Sequence, residues 1–236
     1  MAEKFNYKIH PEKCAPDDFW GQVRRTVNGA PVSPDQIDMI VKAISKGLKI
    51  CGSDVVLDLC CGNGALSTYI FSKCRSGLGV DYSPPLIGVA NQNFKKPGHE
   101  FLIVKDVVEY VAEEHSPERF NKALCYGAFQ YLRRESAYEL LLKLHDTFSS
   151  LERLFVGNLP DKDEMPRFYE NRRYTAGIEN DHSSDIGLWR TKSEFSLLAR
   201  QTGWSVEFSS MPREFYAAYY RYDAILAPGE QQCTKR

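Results

Sequence analysis

The chain has 236 residues, 43% of them hydrophobic and 26% charged, which suits a globular protein with one large core. Its 30 basic and 31 acidic residues leave a net charge of −1, which gives no general electrostatic reason to bind nucleic acid. No apolar run approaches the roughly 20 residues that span a bilayer, and residues 1–10 lack the apolar segment of a signal peptide. We therefore expect a cytoplasmic protein without a membrane or nucleic-acid partner, and its oligomeric state stays open.

The seven cysteines are odd in number, and no two of them have a CxxC spacing. Zinc sites usually show such spacings, so we expect no metal. Cys60 and Cys61 are adjacent and lie in a glycine-rich turn. In the cytoplasm we expect them to be reduced, partly buried thiols.

The N-terminal part of the chain is interpreted as an arm and a lid helix over residues 1–50. Residues 1–32 mix aromatic and charged side chains without a clear period. Residues 33–36 then indicate a helix start, with Gln36 completing a capping box. Trp20, Arg24 and Arg25 of the arm are candidates for closing over a ligand, and the alternative for Tyr7 and Trp20 is that they cover an edge of the sheet.

Residues 51–236 are interpreted as a single domain in which strands and helices alternate. The strands are predicted at residues 54–60, 77–81, 100–105, 121–126, 152–158, 204–209 and 216–226, and the helices at about 64–74, 84–94, 107–115, 133–149 and 192–202. This alternation predicts an α/β protein with a doubly wound seven-stranded sheet, parallel over its first five strands. No helix separates the last two strands, so we expect an antiparallel C-terminal hairpin at one edge.

One long connection interrupts the alternation at about residues 160–190. It is rich in charged, asparagine and aromatic residues, and loops of this length are usually functional or disordered. It follows the fifth strand and therefore emerges on the same face of the sheet as the glycine-rich turn. We interpret it as a cap over a substrate.

Three successive strands end at a glycine turn or at an acid. The first carries Asp58 and runs into Gly62-Asn63-Gly64, the second ends at Asp81, and the third ends at Asp106. In an open α/β sheet the ligand lies outside the carboxyl ends of the strands. The turn brings backbone N–H groups close to a small polar ligand. Ser67 occupies the position of the third glycine of a dinucleotide fingerprint.

These three acids indicate the kind of ligand. A carboxylate buried at Asp58 needs a partner, either a ligand ammonium or the N–H groups of the turn. Asp81 suits two ribose hydroxyls, Asp106 suits an exocyclic amine, and Val107 can pack on a purine. This set describes S-adenosylmethionine better than NAD. The alternative for Asp81 and Asp106 is simple capping of the helices that follow them.

The motifs D-L-C-C-G-N-G and G-V-D-Y-S resemble motif I and its successor in class I S-adenosylmethionine-dependent methyltransferases. Cys60 stands at the first glycine of the usual D-x-G-x-G-x-G pattern. The resemblance covers about residues 54–227 and implies a Rossmann-like sheet and methyl transfer from a sulfonium. It also implies cofactor-binding residues in this chain. Asp58, Gly62 and Gly64 would line the methionine part of the cofactor, Asp81 would bind the ribose, and Asp106 and Val107 would contact the adenine. The other implied cofactor-binding residues are Cys60, Asn63, Tyr82 and Tyr126.

The acceptor side is predicted from the corner after the fourth strand and from the cap. The corner lacks the [DN]-P-P-[YF] pattern of nucleic-acid amino methyltransferases and resembles that of small-molecule enzymes. His182 is the candidate general base, since histidine titrates near neutral pH, although an ordinary surface histidine is the alternative. The candidate acceptor-binding residues are Gln130, Tyr131, Arg172 and Arg173.

We therefore expect a methyltransferase that moves the methyl group of S-adenosylmethionine to a small polar acceptor, with oxygen as the favoured acceptor atom. A sugar, a carboxylate or a phosphorylated metabolite fits this description. Two alternatives stay open at this point. One is a non-catalytic regulatory or scaffold protein that binds S-adenosylmethionine, and the other is an NAD-dependent reductase, against which Ser67 and the antiparallel end both argue.

Overall fold

The computed structural model of the protein describes residues 7–229. The outer ends of the two predicted units, at residues 1–6 and 230–236, and Cys233 lie outside the described residues. Within residues 7–229, no helix is long and apolar enough to cross a membrane.

The arm is short in regular structure and leads into a long helix. It contains a helix at Phe19–Gln22 (α1) and a small antiparallel hairpin of Thr26–Val27 (β1) and Ala30–Pro31 (β2). The helix Pro34–Leu48 (α2) follows, and it buries Ile37, Ile40, Val41, Ile44 and Leu48. Their helical spacing places these side chains on one face of α2.

A seven-stranded sheet forms the centre of the fold. Its strands are Val55–Leu59 (β3), Ser76–Asp81 (β4), His99–Ile103 (β5), Lys122–Tyr126 (β6), Arg153–Pro160 (β7), Trp204–Ser209 (β8) and Arg221–Pro228 (β9). The order across the sheet is β5-β4-β3-β6-β7-β9-β8. Strands β3 to β7 are parallel, and β9 is antiparallel to both β7 and β8. The predicted fold class is therefore confirmed, with β9 inserted between β7 and β8.

Helices cover both faces of the sheet. Those after α2 are Ala65–Phe71 (α3), Pro84–Asn93 (α4), Val107–Glu113 (α5), Arg134–Thr147 (α6), Met165–Tyr169 (α7) and Lys192–Gln201 (α8). Because both faces are covered, every residue of β3 is buried. Leu57 of β3 joins the core cluster with α5, α6 and α8, while its neighbour Val56 joins the cluster with α2, α3 and α4.

Two predictions about local structure are wrong, and they share one cause. The last strand begins at Arg221 rather than at residue 216, because residues 212–220 form hydrogen-bonded turns. Gln36 does not complete a capping box. Its side-chain amide donates to the carbonyl oxygen of Glu214 at 3.1 Å and accepts from the N–H of Tyr216 at 2.9 Å. The start of α2 is therefore hydrogen-bonded to these turns.

The long connection at residues 160–190 is ordered around an aromatic cluster. It contains α7 and short 3-10 turns at Lys162–Glu164 and Ile178–Asn180. The ring of Phe168 lies 5.2 Å from that of Trp189 and 4.6 Å from that of Tyr220, measured between centroids. Aromatic burial of this kind stabilises a segment that has little regular structure of its own.

Candidate active site

A cavity of about 410 Å³ lies at the carboxyl ends of β3, β4, β5 and β6. The glycine turn after β3 forms its floor, and side chains of the arm and of the long connection also line it. Apolar walls come from Leu66, Val80, Leu86, Val104 and Leu132. Such a mixture of apolar walls and a few polar groups is typical of a small-ligand site.

The glycine turn is shaped by backbone conformation and by close packing. Cys60 and Gly62 both have left-handed backbones, with φ of 60° and 61°. A Cβ at Gly62 would lie 2.9 Å from a methyl carbon of Val23 in the arm. The N–H of Gly62 donates to Oδ2 of Asp81 at 2.9 Å. The turn is therefore fixed from one side by the arm and from the other by the end of β4.

Asp58 is buried in the floor of the cavity and is only 3% exposed. Its Oδ2 accepts a hydrogen bond of 2.6 Å from the hydroxyl of Ser67. Burial raises the pKa of Asp58 to about 7, although the Ser67 hydrogen bond and the charge of Arg25 act in the opposite direction. A buried carboxyl with this pKa lacks compensation for its negative charge, and a ligand cation would supply it.

Asp81 is held in place by two backbone groups. Its Oδ2 accepts from Gly62, and its Oδ1 accepts from the N–H of Ser83 at 2.9 Å. Burial raises the pKa of Asp81 against the effect of these hydrogen bonds. Each carboxylate oxygen can accept a further hydrogen bond, so the fixed carboxylate can still receive two ligand hydroxyls.

Asp106 both caps a helix and lines the cavity. Its Oδ1 accepts from the N–H groups of Val108 and Glu109, at 2.8 and 3.3 Å, at the start of α5. Both bonds use the same oxygen, which leaves Oδ2 for a ligand amine. Val107 is buried beside it and lines the cavity. Capping and ligand binding are therefore compatible here.

Asn63 and Gly64 have structural contacts that the sequence did not indicate. The side-chain Nδ2 of Asn63 donates to the carbonyl oxygen of Phe19 at 2.7 Å and to Oε1 of Gln22 at 2.9 Å. Asn63 thus ties α1 to the glycine turn, although it also lines the cavity. Gly64 is not among the cavity residues, and a Cβ there would lie 2.7 Å from the ring of Phe101.

The long connection contacts the corner after β6 and reaches the cavity. The hydroxyl of Tyr131 donates to the carbonyl oxygen of Asp185 at 2.8 Å. The N–H of Leu188 donates to the carbonyl oxygen of Gln130, also at 2.8 Å. His182 and Asp185 line the cavity together with Tyr126, Tyr131 and Tyr82. The residues of this connection nearest the cavity are therefore 182–185.

A second chamber of about 220 Å³ adjoins the cavity, and Arg24, Arg25 and Tyr131 line both. Its walls are strongly polar. They include Gln130, Asn158, Tyr216, Tyr220 and Arg221, of which only Gln130 was predicted from the sequence as a site residue. Tyr7 of the arm also lines both spaces, and its carbonyl oxygen accepts from the Ser83 hydroxyl at 2.8 Å.

The structure corrects the prediction for Arg172 and Arg173, neither of which lines the cavity or the chamber. The guanidinium of Arg172 lies 4.3 Å from the ring centroid of Phe168 and donates to the carbonyl oxygen of that residue at 2.7 Å. It therefore packs on its own segment. The exposed side chain of Arg173 lies outside both spaces as well.

Comparison with known proteins identifies a methyltransferase domain. Residues 56–149 match the family model described as a methyltransferase domain. An uncharacterized methyltransferase of Schizosaccharomyces pombe is 30% identical over 124 residues, which cover 51% of this chain and 43% of that protein. An uncharacterized RNA methyltransferase of Clostridium acetobutylicum is 26% identical over 114 residues, which cover 46% of this chain and 24% of that protein. The chain thus spans less than half the length of these curated relatives.

A solved structure agrees with the fold. The magnesium protoporphyrin IX methyltransferase of Synechocystis, with bound S-adenosylhomocysteine (SAH), superposes with a TM-score of 0.59 at 16% identity and covers 83% of each chain. Together with the strand order and the matched domain, these findings define the class. The chain contains a methyltransferase domain, and the predicted resemblance to the class I S-adenosylmethionine-dependent methyltransferases is confirmed. The cofactor of this family is S-adenosylmethionine, as predicted.

Proposed function

We propose that this protein transfers the methyl group of S-adenosylmethionine to an oxygen of a small polar acceptor. The observation that supports the cofactor half of this proposal is the buried carboxyl of Asp58 in the floor of the cavity, which Asp81 and Asp106 also line. Its pKa of about 7 indicates a site built for a cationic ligand group. The α-ammonium of the cofactor is such a group.

The residues present fit the cofactor along its length. Asp58 would hold the ammonium, Asp81 the two ribose hydroxyls, and Asp106 the exocyclic amine of the adenine beside Val107. Cys60, Gly62 and Tyr82 line the same cavity, and Tyr126 lies at the corner that leads to the chamber.

The bound cofactor supplies a methyl group on a sulfonium, which is already a good leaving group. The protein then mainly has to align the acceptor and exclude water. The arm does this from the side of Val23 and Tyr7, and the cap at about residues 160–190 does so from the side of Tyr131 and His182. His182 is the proposed base for a hydroxyl acceptor, because it lines the cavity within the cap.

The proposed acceptor is a small molecule rather than a nucleic acid. The chain carries a net charge of −1, and no extended basic surface follows from its sequence. The adjoining chamber of about 220 Å³ has room for a metabolite-sized group. Because one relative is named an RNA methyltransferase, transfer to total RNA is a necessary control in any activity assay.

Calorimetry tests the cofactor half of the proposal. We expect SAH and S-adenosylmethionine to bind with micromolar dissociation constants and NAD much more weakly. The reverse order would refute the proposal in favour of a reductase. A screen of small acceptors that follows SAH release then tests turnover. Binding of the cofactor without release of SAH, across acceptors of every class and RNA, would favour the non-catalytic alternative.

A further inference from the structure

The adjoining chamber contains buried polar atoms without partners. The guanidinium of Arg221 donates to the carbonyl oxygen of Asn158, but its buried Nε has no hydrogen-bond partner among the described residues. In the same part of the structure, the side-chain oxygens of Asn158 and Gln130 are also buried and unpartnered. Such atoms are destabilising unless a ligand or water completes their hydrogen bonds.

A bulge in β7 brings these groups together. The register of β7 against β9 shifts between Val156 and Leu159, and Asn158 within the bulge has a left-handed φ of 64°. The carboxylate of Asp223 on β9 stabilises the bulge by accepting from the Asn158 N–H at 2.7 Å. Bulges often redirect side chains next to active sites. Here the bulge places Asn158 beside Arg221, the first residue of β9.

The chamber is positively charged although the chain as a whole is slightly negative. Arg24, Arg25 and Arg221 line it against one carboxylate, Asp185, so the lining side chains sum to +2 (three minus one). Asp185 pairs with Arg24 at 3.2 Å, which leaves the other two guanidinium groups in excess. Asp223 lies behind the wall, and burial raises its pKa to about 6. Even when Asp223 is ionised, the net charge around the chamber stays positive.

The geometry points to an anionic methyl acceptor, with a carboxylate or phosphate group bound in this chamber between Arg221 and Arg25. This inference rests on the proposed function, because it names the acceptor class of the same site. Arg25 lines both spaces, and its guanidinium carbon lies 5.3 Å from the ring centroid of Tyr126, at the boundary between them. An anion held there therefore orients the rest of the acceptor toward the cofactor cavity.

Asn158 and Gln130 add a second requirement. Their buried side-chain oxygens are acceptors, so they match hydroxyl or amine donors on the ligand. The phenols of Tyr216 and Tyr220 also line the chamber and supply further donors and ring walls. The favoured acceptor is consequently an acid that also carries a hydroxyl or amino group.

Calorimetry on the protein saturated with SAH tests the anion site. The probes are benzoate, its neutral isostere benzamide, and inorganic phosphate. We expect at least one of the two anions to bind, and benzamide to bind at least about tenfold more weakly than benzoate. Arg221→Gln should weaken anion binding at least about tenfold. Arg221→Lys keeps the charge and should lose less, while the control Arg200→Gln, at an exposed position of α8, should bind anions as the wild type does.

The affinity for SAH separates this inference from the proposed function. Arg221 does not line the cofactor cavity, so Arg221→Gln should bind SAH as the wild type does, which also shows that the variant is folded. If Arg221→Gln does not fold, Arg25→Gln tests the loss of anion binding instead, measured on the variant saturated with SAH because Arg25 also lines the cofactor cavity. If the wild type does not bind SAH, the proposed function itself is refuted. If it binds SAH, the proposed function stands, and any of three results overturns the anion site alone. These results are no anion binding, equal binding of benzamide and benzoate, and unchanged anion binding by the arginine variants.

Paired acceptors distinguish the two anion chemistries. Each carboxylic acid is assayed with its amide, and each phosphate ester with its free alcohol, by release of SAH. Methylation of the acid but not its amide identifies a carboxylate, and methylation of the ester but not the alcohol identifies a phosphate. Equal rates within every pair that reacts would overturn the inference.

Discussion

Replacement of Asp58 by asparagine tests the electrostatic basis of cofactor binding. The pKa of this buried carboxyl is about 7 without a ligand, chiefly because of burial. If the ammonium of SAH binds the ionised form, binding lowers this pKa and releases a proton below neutral pH. The affinity of the wild type should therefore rise with pH up to about pH 7 and then level off.

The size of this effect follows from the ionised fraction. For a pKa of about 7, roughly 0.9 of the carboxyl groups are ionised at pH 8 and about 0.1 at pH 6. The affinity for SAH should therefore fall about tenfold between these two pH values. Calorimetry in buffers with different ionisation enthalpies measures both the affinity and the proton release. Asp58→Asn should bind more weakly at pH 8 and show little pH dependence between pH 6 and pH 8.

The same pKa makes an opposite prediction for the protein without ligand. When folding raises the pKa of an acid, the native state keeps a proton at pH values where the unfolded state has already released it. The contribution of that acid to stability therefore falls as the pH rises from about 4 to 7. Asp58→Asn should therefore raise the melting temperature more at pH 8 than at pH 5. A flat affinity profile in the wild type, with no proton release at pH 6, would refute this account of Asp58.

Three further variants test contacts in and around the cavity. Asp81→Ala should weaken SAH binding at least about tenfold by calorimetry, because two charge-assisted hydrogen bonds are lost. An unchanged affinity in a folded variant would show that Asp81 only stabilises the start of the helix that follows it. Asn63→Ala should speed hydrogen exchange of the amides in α1, whereas the exposed control Asn93→Ala should not, and equal rates would contradict the anchoring role. Tyr131→Phe should lower the free energy of unfolding by about 1 kcal/mol in urea titrations, because it removes the hydrogen bond to the carbonyl oxygen of Asp185. A loss no larger than that of the exposed control Tyr138→Phe would argue that this hydrogen bond does not stabilise the fold.

The candidate cofactor site could be proposed from the sequence because its signals are local. Asp58, Asp81 and Asp106 each follow a short apolar run, and parallel strands bring their ends to one edge of the sheet. The turn at Gly62 could be predicted for the same reason, since a left-handed turn after a strand favours glycine. Gly64 also has a left-handed backbone, with φ of 74°. It does not line the cavity, however, and its missing side chain makes room for the ring of Phe101.

The acceptor half depends on contacts between distant parts of the chain. Arg221 and Asn158 meet at a bulge, which Asp223 on another strand stabilises by accepting the N–H of Asn158. The turns that contain Tyr216 depend on Gln36, which lies 180 residues away. No local pattern reports such contacts. The arginines at 172 and 173 were conspicuous in the sequence, but packing on Phe168 directs Arg172 away from the site.

The ion pair between Arg24 of the arm and Asp185 of the long connection joins two segments that line the candidate site. Its side chains are 37% and 76% exposed, and exposed pairs of this kind contribute at most about 1 kcal/mol. Salt screens such a pair over a Debye length of about 8 Å at physiological ionic strength. The contact between the arm and the long connection is therefore weak and sensitive to salt, so ligand exchange should become faster as ionic strength rises.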